Sequence, residues 1–448
     1  MGRRTPSPQT VIGGAAQVAH SAAVVLLVLS SAACSHRAVR ADVASAAQLH
    51  SADPQAGPPV GSGDGVAPRA ATPERARSGP EDTSKKSASL ETAAYTDTDH
   101  VTVFTPAING NIENVVDGAS LHASYLVDVV SAASVDIIAT ASRRWHEVRQ
   151  AGSLSGDYKP HNLGIGISAS ASSEPDYLSY GASAHVSYDL DEKNTSVFFG
   201  YGYGHDTSGR GGTSFTTFAR SLQRGSFLLG VDQVAGPATL LSLSGGVIIE
   251  NGDQSKPYRY IPMFSAVEAA ATPAGASIDY VNAHRLFERP LEQLPLARRR
   301  FAFSVQIAHR LESSTLRASE RLYDDNWGLK GSTTDARWFF DAGERLRLWP
   351  HVRFHAQTPV GFWQRAYVSG AGPGFSLPEF RTGDRELGPL WGLTGGGGVK
   401  VFLGTAAHPH IFAVAAEVDG VYTSYLDDLF ITSRSGVLGS LTLELEEP

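Results

Sequence analysis

Three short stretches of this chain carry residue types that could do chemistry. Thr394–Lys400 reads TGGGGVK. A glycine run ahead of a lysine resembles a phosphate-cradling loop, in which bare backbone N–H groups approach the phosphates. The Gly-Lys-Ser/Thr ending is missing and no helix pattern follows, so small residues on both faces of a strand is the better reading. His408 and His410, in AAHPHIF, supply two imidazoles, but spacing places no third metal ligand. Asp324, Asp325 and Asn326, in YDDNW, make an oxygen-rich loop. The spaced ligand series of a calcium loop is absent, and hydrogen-bonded turn residues account for the composition. No nucleophile, base and orienting residue can be assembled. The sequence predicts no enzyme, no cofactor and no metal site.

The remaining chemistry is charge, and it is segregated along the chain. Taken as side chains on one face of successive strands, Asp128, Asp136, Asp189 and Asp232 come first. Arg310, Arg317, Arg321, Arg337, Arg353 and Lys400 follow. Acids return with Glu417, Asp419, Glu444 and Glu446. If the strands close into a ring, the two acidic groups merge. An acidic arc then faces a basic arc across a lumen. Such a field would orient and select polar solutes. The competing reading is a lumen filled by paired charges that hold the barrel's shape.

Both readings need strands, and the sequence supplies them. LGIGISASASS (Leu163–Ser173) alternates Leu163, Ile165, Ile167, Ala169 and Ala171 with Gly164, Gly166, Ser168, Ser170 and Ser172. Successive strand side chains point to opposite faces, so one face is apolar and the other small and polar. Similar alternation recurs in SLHASYLVDVV, SVDIIATAS, GASAHVSYD, SVFFGYGYG, FAFSVQIAHR, HVRFHAQ and VLGSLTLELE. The pattern predicts about fourteen strands, with twelve to sixteen as the bounds. They begin near residues 119, 134, 161, 178, 195, 225, 238, 300, 315, 333, 351, 386, 409 and 436. Short connections such as VAGP and LESS alternate with long ones such as residues 250–297 and 358–386. This predicts an all-β fold: a transmembrane, antiparallel, up-and-down β-barrel with apolar side chains outward. A soluble β-sandwich with its Gly/Ser face in water is the alternative.

Composition fits an exported chain. Of 448 residues, 18% are charged and the net charge is −8, which argues against nucleic-acid binding. Cys34 is the single cysteine, so no intrachain disulfide forms. Arg3 and Arg4 precede the apolar core VAHSAAVVLLVL and the small residues SSAAC. This is a signal segment over residues 1–33, with Cys34 the candidate lipidation site. Ser31 stands where lipoprotein signals usually have an aliphatic residue, so ordinary cleavage near Ala33 remains open. Residues 34–97, rich in Pro, Gly, Ala and Ser, read as a disordered linker, and 98–448 as the barrel.

Several ordered stretches carry a resemblance. They are YLVDVVSAASVDIIATASRRWHEVR, SSEPDYLSYG, KPYRYIPMF, ERPLEQLPLARRRFAF, ASERLYDDNWGLKGST and HVRFHAQTPVGFW. From about Tyr95 to the end, the chain resembles an uncharacterised bacterial family of outer-membrane β-barrels, domain-of-unknown-function family 3570. The resemblance implies a barrel in the outer membrane of a Gram-negative bacterium, with no catalytic residues to carry over. The chain ends LELEEP, where the barrel-assembly machinery usually reads a terminal aromatic. The implied partners are outer-membrane lipids, that machinery and small polar solutes. The expected function is a channel or transporter for small polar or ionic solutes. The alternatives are a structural or surface-display barrel with a plugged lumen and, behind it, a barrel-embedded enzyme.

Overall fold

The computed structural model describes residues 84–114, 117–132, 145–210, 212–369, 376–404 and 411–447. Sixteen antiparallel strands close into one barrel. In chain order they are β1 (Ser84–Asp97), β2 (Thr102–Asn114), β3 (Ala119–Ala132), β4 (Trp145–Tyr158), β5 (Leu163–Glu174), β6 (Tyr177–Leu190), β7 (Thr195–Ser208), β8 (Arg220–Gly236), β9 (Thr239–Gly252), β11 (Ala297–Arg310), β12 (Ser314–Asp325), β13 (Lys330–Asp341), β14 (Leu346–Gln357), β16 (Leu390–Phe402), β17 (Phe412–Tyr425) and β18 (Ser433–Glu447). Two further two-residue strands, β10 (Met263–Phe264) and β15 (Tyr367–Val368), lie in the long loops and pair parallel with each other. Each barrel strand pairs with its sequence neighbours, and β1 pairs with β18 to close the ring. Closure leaves no edge, so every ladder position has a partner strand.

The apolar face points outward. Along β5, Leu163, Ile165 and Ile167 are exposed, Ile167 at 69%, while Gly164, Gly166 and Ser172 are buried. The same phase leaves Phe199, Tyr201, Phe303, Leu322, Phe354 and Leu441 exposed. Stability in water alone would not leave so many large apolar side chains uncovered.

The expected linker boundary needs correction. The barrel begins at Ser84, inside the stretch read as linker. SKKSASLETAAYTD carries few large apolar residues, and it is a strand because β18 and β2 pair with it on both sides. The second predicted strand, SVDIIATAS, lies outside the described residues; the strand after β3 is WHEVRQAGSLSGDY. That Gly/Ser-rich segment is held in register by β3 on one side and β5 on the other. Thirteen of the fourteen expected strands are among those described, and β1, β2 and β4 bring the count to sixteen. Asp136, His408, His410, Cys34 and the signal segment also lie outside the described residues.

The long connections gather at one end as a folded cap. Helix α1 (Ala266–Ala271) starts at Ser265, whose Oγ accepts from Glu268 N, and α2 (Ile278–His284) starts at Ser277, which caps Tyr280 N. Around the β10–β15 pair, Phe264, Ala276, Val281 and Leu429 form one buried cluster, and Ile261, Met263 and Tyr367 another. A third joins Leu294, Tyr323, Trp327, Leu329, Val360 and Leu387. The Val, Leu, Ile, Phe and Met side chains among them each contribute roughly 1.5–3 kcal/mol when fully buried, which holds three loops distant in sequence together. A polar knot completes the cap: Glu292 accepts from Thr382 Oγ1 (2.6 Å), Lys256 N (2.9 Å) and Arg259 (3.1 Å), and Arg259 also meets Asp384 (2.9 Å). The short 3-10 turn Arg385–Leu387 is buried and reaches the barrel seam. Arg385 pairs with Asp99 (2.7 Å), and Glu386 receives Tyr425 OH (2.7 Å) and faces Arg434 of β18 (3.7 Å).

Candidate functional site: the charged lumen

Inward positions follow from the alternation just described, and most carry polar side chains. The acidic residues of the first nine strands are inward but not alone. Asp128 is fully buried and bound by Arg149 of β4 (2.5 Å) and Thr105 (2.5 Å). Asp189 takes Lys159 (2.7 Å) and Ser196. Asp232 accepts from Ser242. Asp206, absent from the sequence-based set, pairs with Arg224 (2.9 Å). The acidic arc is therefore laced with bases.

The basic arc is equally interlocked. Arg310 joins Asp341 (2.9 Å), which also receives Arg347 (2.7 Å), at the end where the short turns lie. Lys400 is buried against Glu444. At the cap end, Arg298 binds Asp325 (2.5 Å) and lies 4.2 Å over the Trp327 ring, and Arg300 meets Glu250 (2.8 Å). Asp325 also accepts from Trp327 N and Leu329 N. Its oxygens serve a turn and an ion pair, as the turn reading of YDDNW requires. Asp324 faces Lys330 (3.4 Å).

Between the two ends lies a layer on β12, β13, β14 and β17. Arg317 and Arg337 stand opposite each other in register, with Arg317 5.1 Å over the Phe339 ring. Arg321 faces inward two steps further along β12, beyond Ser319. Arg353 pairs in register with Asp335. His351 is the centre of the layer: Nε2 lies 2.9 Å from Asp335 and Nδ1 3.1 Å from Asp419. Carboxylates accept, so the ring donates on both sides. Arg337 reaches Glu417 (3.7 Å), which also accepts from Trp349 Nε1 (3.3 Å). Donor atoms of His351, Glu417 and Asp419 lie within 4.8 Å of one another, a grouping that could hold a metal. Both imidazole nitrogens are engaged by carboxylates, and the Arg337 guanidinium supplies a cation beside Glu417. The ligand lone pair a metal needs is thus turned to hydrogen bonding.

The glycine run is explained here. His351 and Trp349 sit on β14 and their partners Asp419 and Glu417 on β17, so both contacts pass over β16. There they cross Gly396 and Gly398, their register neighbours. A Cβ on Gly398 would lie 2.2 Å from the Trp349 ring, and one on Gly396 2.3 Å from Asp419 Oδ1. Gly166 of β5 does the same for Asp157 of β4 and His185 of β6 (3.1 Å), where a Cβ would meet the imidazole at 2.0 Å. TGGGGVK is a strand with its inner face cleared for side chains that bridge over it.

His351, Trp349 and Asp335 were missing from the sequence-based set. Phase could have found them, since His351 and Trp349 share the parity of Arg353, and Asp335 that of Arg337. The bridges themselves needed the register of strands separated by the cap loop.

Fold and lumen together define a closed antiparallel barrel with an apolar exterior and a charged, cross-linked interior. The chain belongs to a family described as proteins of unknown function, DUF3570, whose model matches residues 141–227 and 213–411, more than half of the chain. No curated protein matches it. Among solved structures, the siderophore receptor PirA from Acinetobacter baumannii is 10% identical with a TM-score of 0.37, over 77% of this chain and 53% of that one. CdiB from the same organism is 11% identical with a TM-score of 0.42, over 81% and 60%. The outer membrane protein opdK from Pseudomonas aeruginosa is 7% identical with a TM-score of 0.39, over 81% and 99%. The chain thus spans between half and two thirds of the first two. Likeness at this level says nothing of what this chain carries.

Proposed function

We propose that the protein is an outer-membrane barrel whose lumen passes small polar or ionic solutes. The supporting observation is the half-buried mid-lumen layer. Arg337 and Asp335 keep 31% of their side-chain surface inside a barrel whose outer face is apolar. Water-accessible charge inside an apolar exterior is the arrangement of a polar passage across lipid, and sixteen-stranded barrels are wide enough to leave one. The termini and short turns then lie in the periplasm, the cap faces outward, and Cys34 is the point of lipid attachment.

The test is conductance in a planar bilayer with Arg317→Glu and Arg321→Glu. Charge reversal of two inward guanidiniums should shift the reversal potential toward cations at low salt. The shift should shrink as the screening length falls below about 10 Å, near 0.1 M salt. Absence of any conductance would overturn the reading.

The cap favours a second reading, a barrel closed at its outer mouth that serves structure or display. The buried Arg385–Leu387 turn is tied to Asp99, Tyr425 and Arg434 at the seam. Conductance that appears only when residues 376–388 are removed would select it.

A further inference from the structure

The outer face carries one anomaly. Among the described residues, Glu320 is the one Asp, Glu, Lys or Arg that points outward and stands more than three residues from either end of its strand. Its β12 neighbours in the same phase, Leu316 and Leu322, are 41% and 51% exposed. In register it stands opposite Val305 on β11 and Thr334 on β13, and beyond Thr334 comes exposed Phe354 on β14. The carboxylate is not adventitious, because β13 is adapted to it. Thr334 Oγ1 donates to Oε2 and Ser332 Oγ to Oε1, both at 2.5 Å. Both hydroxyls lie in the outward phase of β13, where Trp338 is exposed.

An acid at mid-depth in hydrocarbon is costly, whichever scale is used. Lipid headgroups lie at the rims and do not reach it. Two hydroxyls satisfy only part of a carboxyl group's four acceptor sites. A polar protein surface at the same depth suits what remains better than lipid tails do.

We infer that the β12–β13 face is the contact between two copies of this chain, meeting across a two-fold axis at Glu320, Ser332 and Thr334. The triad holds donors and acceptors together, so it is self-complementary: each hydroxyl has one hydrogen, which it can give to its own carboxyl group or to that of the other copy, and the four hydroxyls and two carboxyl groups form one shared network. A two-fold contact uses the same patch on both subunits, which this composition allows. Shape agrees. Ala318 and Ala336 are register partners beside the triad, and the larger Leu316, Leu322, Trp338 and Phe354 surround it. The low centre lets two barrels approach closely, as small residues do at membrane interfaces.

The inference rests on the membrane-barrel reading, and the test separates the two. In native membranes, Ala318→Cys and, as a control on the far side of the barrel, Ala169→Cys are treated with a short bismaleimide. Ala318→Cys should give a cross-linked dimer and Ala169→Cys none. In detergent, native mass spectrometry should find dimer for the unsubstituted chain and for Glu320→Gln, whose amide keeps hydrogen-bonding groups. Glu320→Leu should lower the dimer fraction at least tenfold, although leucine suits lipid better. A heat-modifiable membrane monomer, uncross-linked at Ala318→Cys, overturns the interface alone. A Glu320→Leu dimer as abundant as the unsubstituted one overturns the role of the triad. A chain that never enters membranes overturns the barrel reading and the interface with it.

Discussion

At the scale of single residues, the lumen is held by shared donors. His351 is the clearest case, with Asp335 on one side and Asp419 on the other. Replacing one partner of a buried ion pair costs more than the pair contributes, because the remaining charge stays desolvated. His351→Leu strands two carboxylates, one of them partly open to water. It should lower barrel stability by about 2–3 kcal/mol, read as a drop in the temperature of the heat-modifiability transition. His351→Gln, which can donate to only one of the two, should fall between. In the cap, Lys256 lies buried beside Arg259, with Glu292, Asp384 and Glu174 as the opposing charges. Burial first, and then Arg259, bring its ammonium down to about 7. An unfolded lysine keeps its proton to about 10.4, so the open cap binds more protons than the closed one between these values. Cap stability should accordingly rise with pH from about 7 to 10, by less than tenfold in closing equilibrium per unit, and level off below 7. Hydrogen exchange at Met263, Phe264, Tyr367 and Val368 would read it. Lys256→Met should flatten the dependence and slow exchange at pH 7.

At the scale of elements, alternation told most of the story. The outward phase of β5, β6, β7, β11 and β18 could be read residue by residue, and with it the inward placement of Asp128, Asp189, Arg317, Arg337 and Asp419. Two features escaped. β1 has the composition of a linker, and its strand character comes wholly from β18 and β2. β4 is rich in Gly and Ser and was not among the expected strands; pairing with β3 and β5 holds it in register. The function of glycine was also hidden, since an empty inner face looks the same whether it borders water or a bridging side chain. Gly166→Val should separate these. A Cβ there meets the His185 ring at 2.0 Å, so the variant should assemble poorly and lose the Asp157–His185 contact. Ser170→Val, on the same face two steps away, should be nearly neutral. Yields of heat-modifiable barrel would decide. The turn between β6 and β7 holds Asp191, Glu192 and Lys193 at φ of 50–72° without a glycine. That left-handed run costs roughly 1–2 kcal/mol per residue, and nothing in DEK announced it.

At the scale of the whole molecule, the legible part was a closed barrel with an apolar exterior and a charged lumen, and the illegible parts were the pairing that laces each arc with opposite charge and the cap. No periodicity connects residues 253–296 with 358–389 and 426–432. Their union depends on a two-rung parallel pair and on apolar residues such as Ile261, Met263, Tyr367 and Leu429, which have no pattern along the chain. The turn at Arg385–Leu387 has a further consequence. Its anchors, Asp99 and Arg434, stand on opposite sides of the β1–β18 seam, and Arg385 and Asp99 are 286 positions apart in sequence. A chain still open at that seam offers the turn only half its seat. Docking of the turn is thus tied to closure of the seam, and the capped mouth should acquire resistance to proteolysis only in barrels that have closed. A protease reaching the capped mouth would then sort closed molecules from open ones at a single loop.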